Sequence, residues 1–181
     1  LIIVFFDGLL IDNMQGVFGV YALPYDWISI LFTVFVVIVI TNSYNLIDGI
    51  DGLAGGLGVI MASMFGVIFI FNGYSNIQFA ILSFSLAGAL LAFLRYNFHP
   101  ATIFMGDTGS LVVGFILSVL AIRLINTGVN IPDIHYFKEK GPLISIVILS
   151  IPLYDTFRVF FIRLLSGYNP LYADRNHIHH A

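Results

Sequence analysis

From Gly52 to Leu94 the chain carries no charged residue, and from Trp27 to Thr41 it carries none either. Stretches of that length without charge can fold in few ways. An apolar helix of about 20 residues crosses the hydrocarbon core of a bilayer. Within that core the backbone can be satisfied only inside a helix or a closed barrel. Charged residues make up 9% of the sequence and hydrophobic ones 59%, whereas a soluble domain carries about 25% charged residues. The expected class is therefore all-α, a polytopic integral membrane helix bundle. Five full transmembrane helices are predicted, at about Trp27–Tyr44, Leu57–Phe71, Ile77–Leu94, Thr108–Ile125 and Leu143–Leu165. Leu1–Ile11 is too short to cross and reads as the partial end of an earlier span. The chain begins within an apolar run, without Met, and stops after His180 and Ala181. It reads as a single transmembrane domain, residues 1–181, truncated at both ends. A net charge of −3 gives no bulk electrostatic case for nucleic acid. With no cysteine, disulfides and thiolate metal sites are excluded.

The most unusual stretch lies between the first two predicted spans. Asn42 to Gly56 reads Asn-Ser-Tyr-Asn-Leu-Ile-Asp-Gly-Ile-Asp-Gly-Leu-Ala-Gly-Gly. It sets Asp48 and Asp51 at i,i+3 spacing, each followed by a glycine, with the amides of Asn42 and Asn45 beside them. A charge between two apolar spans is costly unless it is partnered. These acids therefore point to a cation or to donors from a bound ligand, and the glycines permit close backbone approach to it. The alternative is structural, with the carboxylates capping the N-terminus of the second span.

Two more strings carry chemistry. Phe104-Met-Gly-Asp-Thr-Gly-Ser110 puts Asp107 among small residues at the start of the fourth span, as a ligand group or as an ordinary helix cap. Ala173-Asp-Arg-Asn-His-Ile-His-His180 gathers Arg175, His177, His179 and His180. Such a cluster suits anion binding through Arg and protonated His or a metal; the lack of a second His cluster on the same face favours the anion. His99 is a further candidate base, or simply a solvated loop residue.

Every span reverses the side of the membrane. Parity then sends the Asn42–Gly56 loop, the Arg95–Asp107 loop and the Ser166–Ala181 tail to one face. Asp12–Asp26, Asn72–Asn76 and Asn126–Pro142 go to the other. The acids, His99 and the His-rich tail converge on the first face, which a slight excess of arginine marks as cytoplasmic.

Taken together, the three strings resemble the polyprenyl-phosphate N-acetylhexosamine-1-phosphate transferase family. Their order and spacing match it across nearly the whole chain. The His-Ile-His-His ending is similar to the branch that loads GlcNAc-1-phosphate onto undecaprenyl phosphate, whereas the muramoyl-pentapeptide branch usually ends in three consecutive His. The resemblance implies Mg²⁺ as cofactor, a UDP-N-acetylhexosamine donor (UDP-GlcNAc first), a polyprenyl (undecaprenyl) phosphate acceptor in the lipid bilayer, and release of UMP. It implies Asp48, Asp51 and Asp107 as catalytic residues, with Asp107 as the metal ligand. Asn45, Arg175, His177, His179 and His180 would be substrate-binding. The expected location is the inner (plasma) membrane, multi-pass, with the active site on the cytoplasmic face, and a homodimer is compatible with the resemblance. The family also carries an adjacent acidic pair on an earlier loop. No Asp-Asp occurs here, and its counterpart is expected upstream of Leu1.

Two other classes stay open. An ion-coupled transporter would also use membrane acids, but near the midplane rather than at span ends. An intramembrane aspartyl protease would pair Tyr154-Asp155 with Gly106-Asp107, although the order of those motifs is reversed here. The soluble aspartic proteases share the Asp-Thr-Gly-Ser string but are β-rich.

Overall fold

The computed structural model describes residues 9–129 and 140–166. The described residues form six α-helices, two short 3-10 helices (Val17–Gly19 and Tyr74–Asn76) and no strand. The α-helices are α1 (Asp26–Leu46), α2 (Leu53–Phe71), α3 (Ile77–Asn97), α4 (Gly106–Thr127), α5 (Gly141–Ile148) and α6 (Ser150–Leu165). The first four have the length and hydropathy to cross a membrane. At about 1.5 Å per residue, the 21 residues of α1 measure about 31 Å, which matches a hydrocarbon core of about 30 Å. The multi-pass membrane bundle expected from the sequence is the fold observed.

The four long helices pair as α2 with α3 and α1 with α4, and α2 also touches α4. Their shared core includes Tyr44, Met61, Phe65, Phe69, Leu90 and Leu117. Large apolar side chains such as Leu31, Phe35, Ile60, Ile81 and Leu91 stay exposed on the outside of the bundle, as expected where lipid replaces water. The α1–α4 crossing is tight because Gly114 has no side chain. A Cβ built there would lie 2.9 Å from Thr41 Cα. Small residues allow this kind of backbone approach between membrane helices.

The fifth predicted span is not one helix. The run Leu143–Leu165 divides at Leu149 into α5 and α6, bent by 74°. The cause is Pro152, which has no N–H to give to the carbonyl of Ile148, four residues earlier. Hydrogen bonds continue on either side of the gap, from Leu149 N–H to Ser145 and from Leu153 N–H to Leu149. α5 packs on α4 and α6 on α1. The partial span expected at Leu1–Ile11 falls mostly outside the described residues. Leu9 and Ile11 are not helical, and they bury against Ile122 and Ile125.

Cross-links at the helix ends fix which loops share a side. At one end, Asn72 donates to the Gly128 carbonyl at 2.7 Å, and Arg123 Nε donates to Asn76 Oδ1 at 2.8 Å. Asn126 reaches the Leu10 carbonyl there, while Gln15 bridges the Ile125 carbonyl and the Gly141 N–H. The opposite end holds the loops 47–52 and 98–105. The parity expected from the sequence is thus the arrangement seen for every described loop.

Candidate active site

The site grows from two breaks in helix. α1 ends at Leu46, and the chain turns through Ile47 to Gly52 before α2 begins. Gly52 has φ +74° and stands at the N-cap of α2. α3 ends at Asn97, and the chain then runs through Phe98–Met105 to Gly106, at φ +66°, where α4 starts. Both glycines occupy the left-handed region that disfavours other residues. Asp48 and Asp51 therefore lie on a turn, and their i,i+3 spacing is not that of a helix.

Asn45, in the last turn of α1, spans the gap to α4. Its amide donates to Ser110 Oγ at 2.7 Å and approaches Asp107 Oδ1 at 3.3 Å. Ser110 is fully buried and donates in turn to the Gly106 carbonyl at 3.0 Å. Asp107 lies in the first turn of α4 but makes no capping bond, and the N-cap residue is Met105. α2 likewise starts without a side-chain cap. Neither acid of the 47–52 turn caps α2; Asp48 instead accepts the N–H of Gly106, the first residue of α4.

Asp48 faces the same point. Burial raises its carboxyl pKa above the ordinary value; the Gly106 N–H opposes that shift, and the negative charge of Asp107 adds to it. Two carboxylates and an amide are thus brought together, and among the described residues no ion pair with either carboxylate forms. Oxygen donors of this kind suit a hard divalent ion. Mg²⁺ typically takes one or two carboxylates and completes its shell with water and phosphate. No group of three His, Asp or Glu side chains able to hold a metal forms among the described residues.

Asp51 is committed elsewhere. Its Oδ2 accepts the Ala101 N–H at 3.1 Å and faces His99 Nδ1 at 3.2 Å. His99 is thus tied to the acidic turn although most of its ring is exposed. The three candidate acids accordingly divide into Asp48 with Asp107, and Asp51 with the 98–105 loop. Sequence reasoning passed over Ser110 as a partner of Asn45, and passed over Asn97, which joins the two loops. Their signal is only a position inside strings noted for other residues. Arg175, His177, His179 and His180 lie outside the described residues.

The rival readings gain nothing here. Asp155 sits 3.9 Å from Arg158 on its own helix. Asp48 and Asp107 are at helix ends, away from the mid-membrane depth that a cation path needs.

The glycosyl transferase family 4 model matches residues 1–125. A probable undecaprenyl-phosphate N-acetylglucosaminyl 1-phosphate transferase of Bacillus subtilis is 39% identical over 175 residues, 96% of this chain and 46% of that protein. The undecaprenyl-phosphate alpha-N-acetylglucosaminyl 1-phosphate transferase of Escherichia coli K12 is 31% identical over 184 residues, 99% of this chain and 47% of that protein. A phospho-N-acetylmuramoyl-pentapeptide-transferase of Caldanaerobacter subterraneus is 46% identical over 91 residues, covering 50% of this chain and 28% of that protein. The chain spans about half the length of the first two relatives. With motifs, fold and matched residues in agreement, this chain belongs to glycosyl transferase family 4.

Proposed function

We propose that the whole protein transfers N-acetylhexosamine-1-phosphate, GlcNAc-1-phosphate in the first instance, from a UDP-sugar to a polyprenyl (undecaprenyl) phosphate and releases UMP. The product is a lipid-linked sugar diphosphate that begins glycan assembly. The observation that carries this reading is the meeting of Asn45, Asp48 and Asp107 at one end of a membrane bundle. Relatives named for this transfer align along almost the whole chain. The sugar assignment follows those two names, because the muramoyl relative aligns over only half of the chain.

In the reaction, an anionic oxygen of the lipid phosphate attacks the sugar-bearing phosphorus of the UDP-sugar. A new P–O–P bond forms, the bond from that phosphorus to the bridging oxygen breaks, and that oxygen leaves with UMP. No proton has to move to create the nucleophile, so direct in-line attack is preferred to a covalent aspartyl intermediate. The difficulty is electrostatic, since several negative charges must be brought together. Catalysis of phosphoryl transfer is largely positioning and charge stabilisation. When bound, Mg²⁺ would neutralise the diphosphate as a Lewis acid. Asp107 would hold it, with Asp48 alongside, while Asn45 keeps the Asp107 carboxylate oriented from across the helix interface. Asp51, fixed by Ala101 and His99, shapes the neighbouring wall where the donor would lie. Arg175, His177, His179 and His180 are assigned to the diphosphate. A bilayer-embedded acceptor accounts for a site at the end of transmembrane helices. We place that end on the cytoplasmic face of the inner (plasma) membrane, where nucleotide sugars are available, and a homodimer fits this arrangement.

The test is an assay of the whole protein in detergent or proteoliposomes for UMP release from UDP-GlcNAc with undecaprenyl phosphate. Mg²⁺ dependence and strict need for both substrates are expected. UMP formation from UDP-MurNAc-pentapeptide but not from UDP-GlcNAc would move the protein to the other branch. Absence of transfer from either donor would refute the reading.

A further inference from the structure

The two loops that carry the acids are joined at a point not used above. Asn97 is the last residue of α3 and is 5% exposed. Both ends of its side-chain amide are engaged, and both partners are backbone. Oδ1 accepts the N–H of Gly52, the residue after Asp51, at 3.0 Å. Nδ2 donates to the carbonyl of Ile103, four residues before Asp107, at 2.9 Å. One planar group therefore holds the acidic turn and the approach to α4 at a fixed separation.

We infer that Asn97 is a positioning residue, which sets the Asp51 side of the site at working distance from Asp107. Three observations support this. Burial makes each bond hard to replace with water, so a lost partner would leave an unpaired buried polar group. Gly52 is at φ +74°, so the turn is anchored at the point where its direction reverses. The other links between the loops, from Asp51 to Ala101 and His99 and from Asp48 to the Gly106 N–H, run through acids of the site itself. They would therefore compete with any substrate that engages those acids. Asn97 has no such conflict, because its bonds are made to backbone alone. A site that must hold two phosphate substrates in line gains from such a constraint, since small misplacements sharply reduce the rate of an oriented reaction.

The inference uses the proposed transfer only for its activity measurement, and a distance measurement tests it independently. The sequence has no cysteine, so spin labels can be placed at Ile50→Cys and Phe104→Cys, both exposed positions in the two loops. In the Asn97→Ala background the distance between labels is expected to broaden or lengthen relative to the parent. In the unlabelled protein, kcat per folded molecule is expected to fall at least tenfold, and the fall persists at saturating substrate and Mg²⁺. Asn97→Asp provides a second, nearly isosteric variant. It keeps the acceptor for Gly52 and loses the donor to Ile103, so it too is expected to broaden the distance and lower kcat. An unchanged label distance in whichever variant is recovered folded would overturn the inference, whatever its thermal stability. So would kcat per folded molecule equal to wild type. If wild-type protein shows no transfer, the functional reading fails and the label distance alone decides the role of Asn97.

Discussion

Asn45 and Ser110, far apart in sequence, are joined by a 2.7 Å hydrogen bond across the α1–α4 interface. The bond presents the Asn45 amide to Asp107 and makes a buried hydroxyl part of the acidic site. Removing either partner should disturb the same carboxylate. Ser110→Ala and Asn45→Ala are each expected to reduce turnover roughly tenfold, about 1.4 kcal/mol. The double variant should lose much less than the product of the two effects. Steady-state kinetics on a double-mutant cycle checks this, and independent, multiplying losses would separate Ser110 from the site.

Asp107→Asn keeps the shape and one oxygen of the side chain but removes its charge. Turnover is expected to fall by roughly a hundredfold or more, on the order of 3 kcal/mol, with normal expression. A helix cap would behave differently, because Asn caps about as well as Asp. Rates within about threefold of wild type at saturating Mg²⁺ would remove Asp107 from the chemistry.

Asp48 links the site to pH. Its folded-state pKa is raised, first by burial and then by Asp107 against the opposing Gly106 N–H. The folded protein therefore holds this proton to higher pH than the unfolded chain does. Stability contributed through Asp48 should fall as pH rises from the ordinary carboxylate value through the raised one. Thermal melts with a chelator present should show that fall, and Asp48→Asn should flatten it. Excess Mg²⁺ is expected to restore wild-type stability at neutral pH and to do little for the Asn variant. Identical pH profiles for the two proteins would contradict the assignment.

Tyr44 closes the acidic turn from below. It is fully buried and donates to the Ala54 carbonyl at 2.6 Å, tying the end of α1 to the start of α2. Tyr44→Phe should cost about 1 kcal/mol of stability. Gly58→Ala should cost about 1–3 kcal/mol, because its Cβ would fall 2.5 Å from the Tyr44 hydroxyl. Denaturation in mixed micelles would rank the two. The same Cβ would fall 2.6 Å from Leu90 Cδ1, so a neutral Gly58→Ala would show that both the hydroxyl and Leu90 have room to move.

Topology can be checked without activity. Single cysteines at Ile50 and Phe104 should label from one side of sealed vesicles, and one at Ser75 from the other. All three sites are exposed. Labelling of Phe104 and Ser75 from the same side would break the shared-face arrangement.

Much of this fold was legible because each long span is its own signal. The long apolar runs locate α1 to α4 within a few residues, and parity alone brings Asp48, Asp51 and Asp107 to one end. The bend at Leu149 was visible only as Pro152 inside an apolar stretch, and hydropathy outweighs a single proline when spans are read from composition. Asn97 was not legible at all. It carries no charge, and its role depends on where the Gly52 N–H and the Ile103 carbonyl come to lie in three dimensions. The division of the three acids was hidden for the same reason, since the backbone of Ala101 claims Asp51.

The bend between α5 and α6 has a mechanical consequence. At about 1.5 Å per residue, helices of 8 and 16 residues measure about 12 and 24 Å along their axes. Joined at 74°, they reach only about 30 Å end to end, equal to the hydrocarbon thickness with nothing to spare. If the pair forms one crossing, its end-to-end line must stand nearly upright and each half must lean. A straight helix can meet a thicker bilayer by reducing its tilt. This pair has no such slack, so membrane thickness would act on it directly, as strain at Leu149 or as local thinning of the lipid around α6.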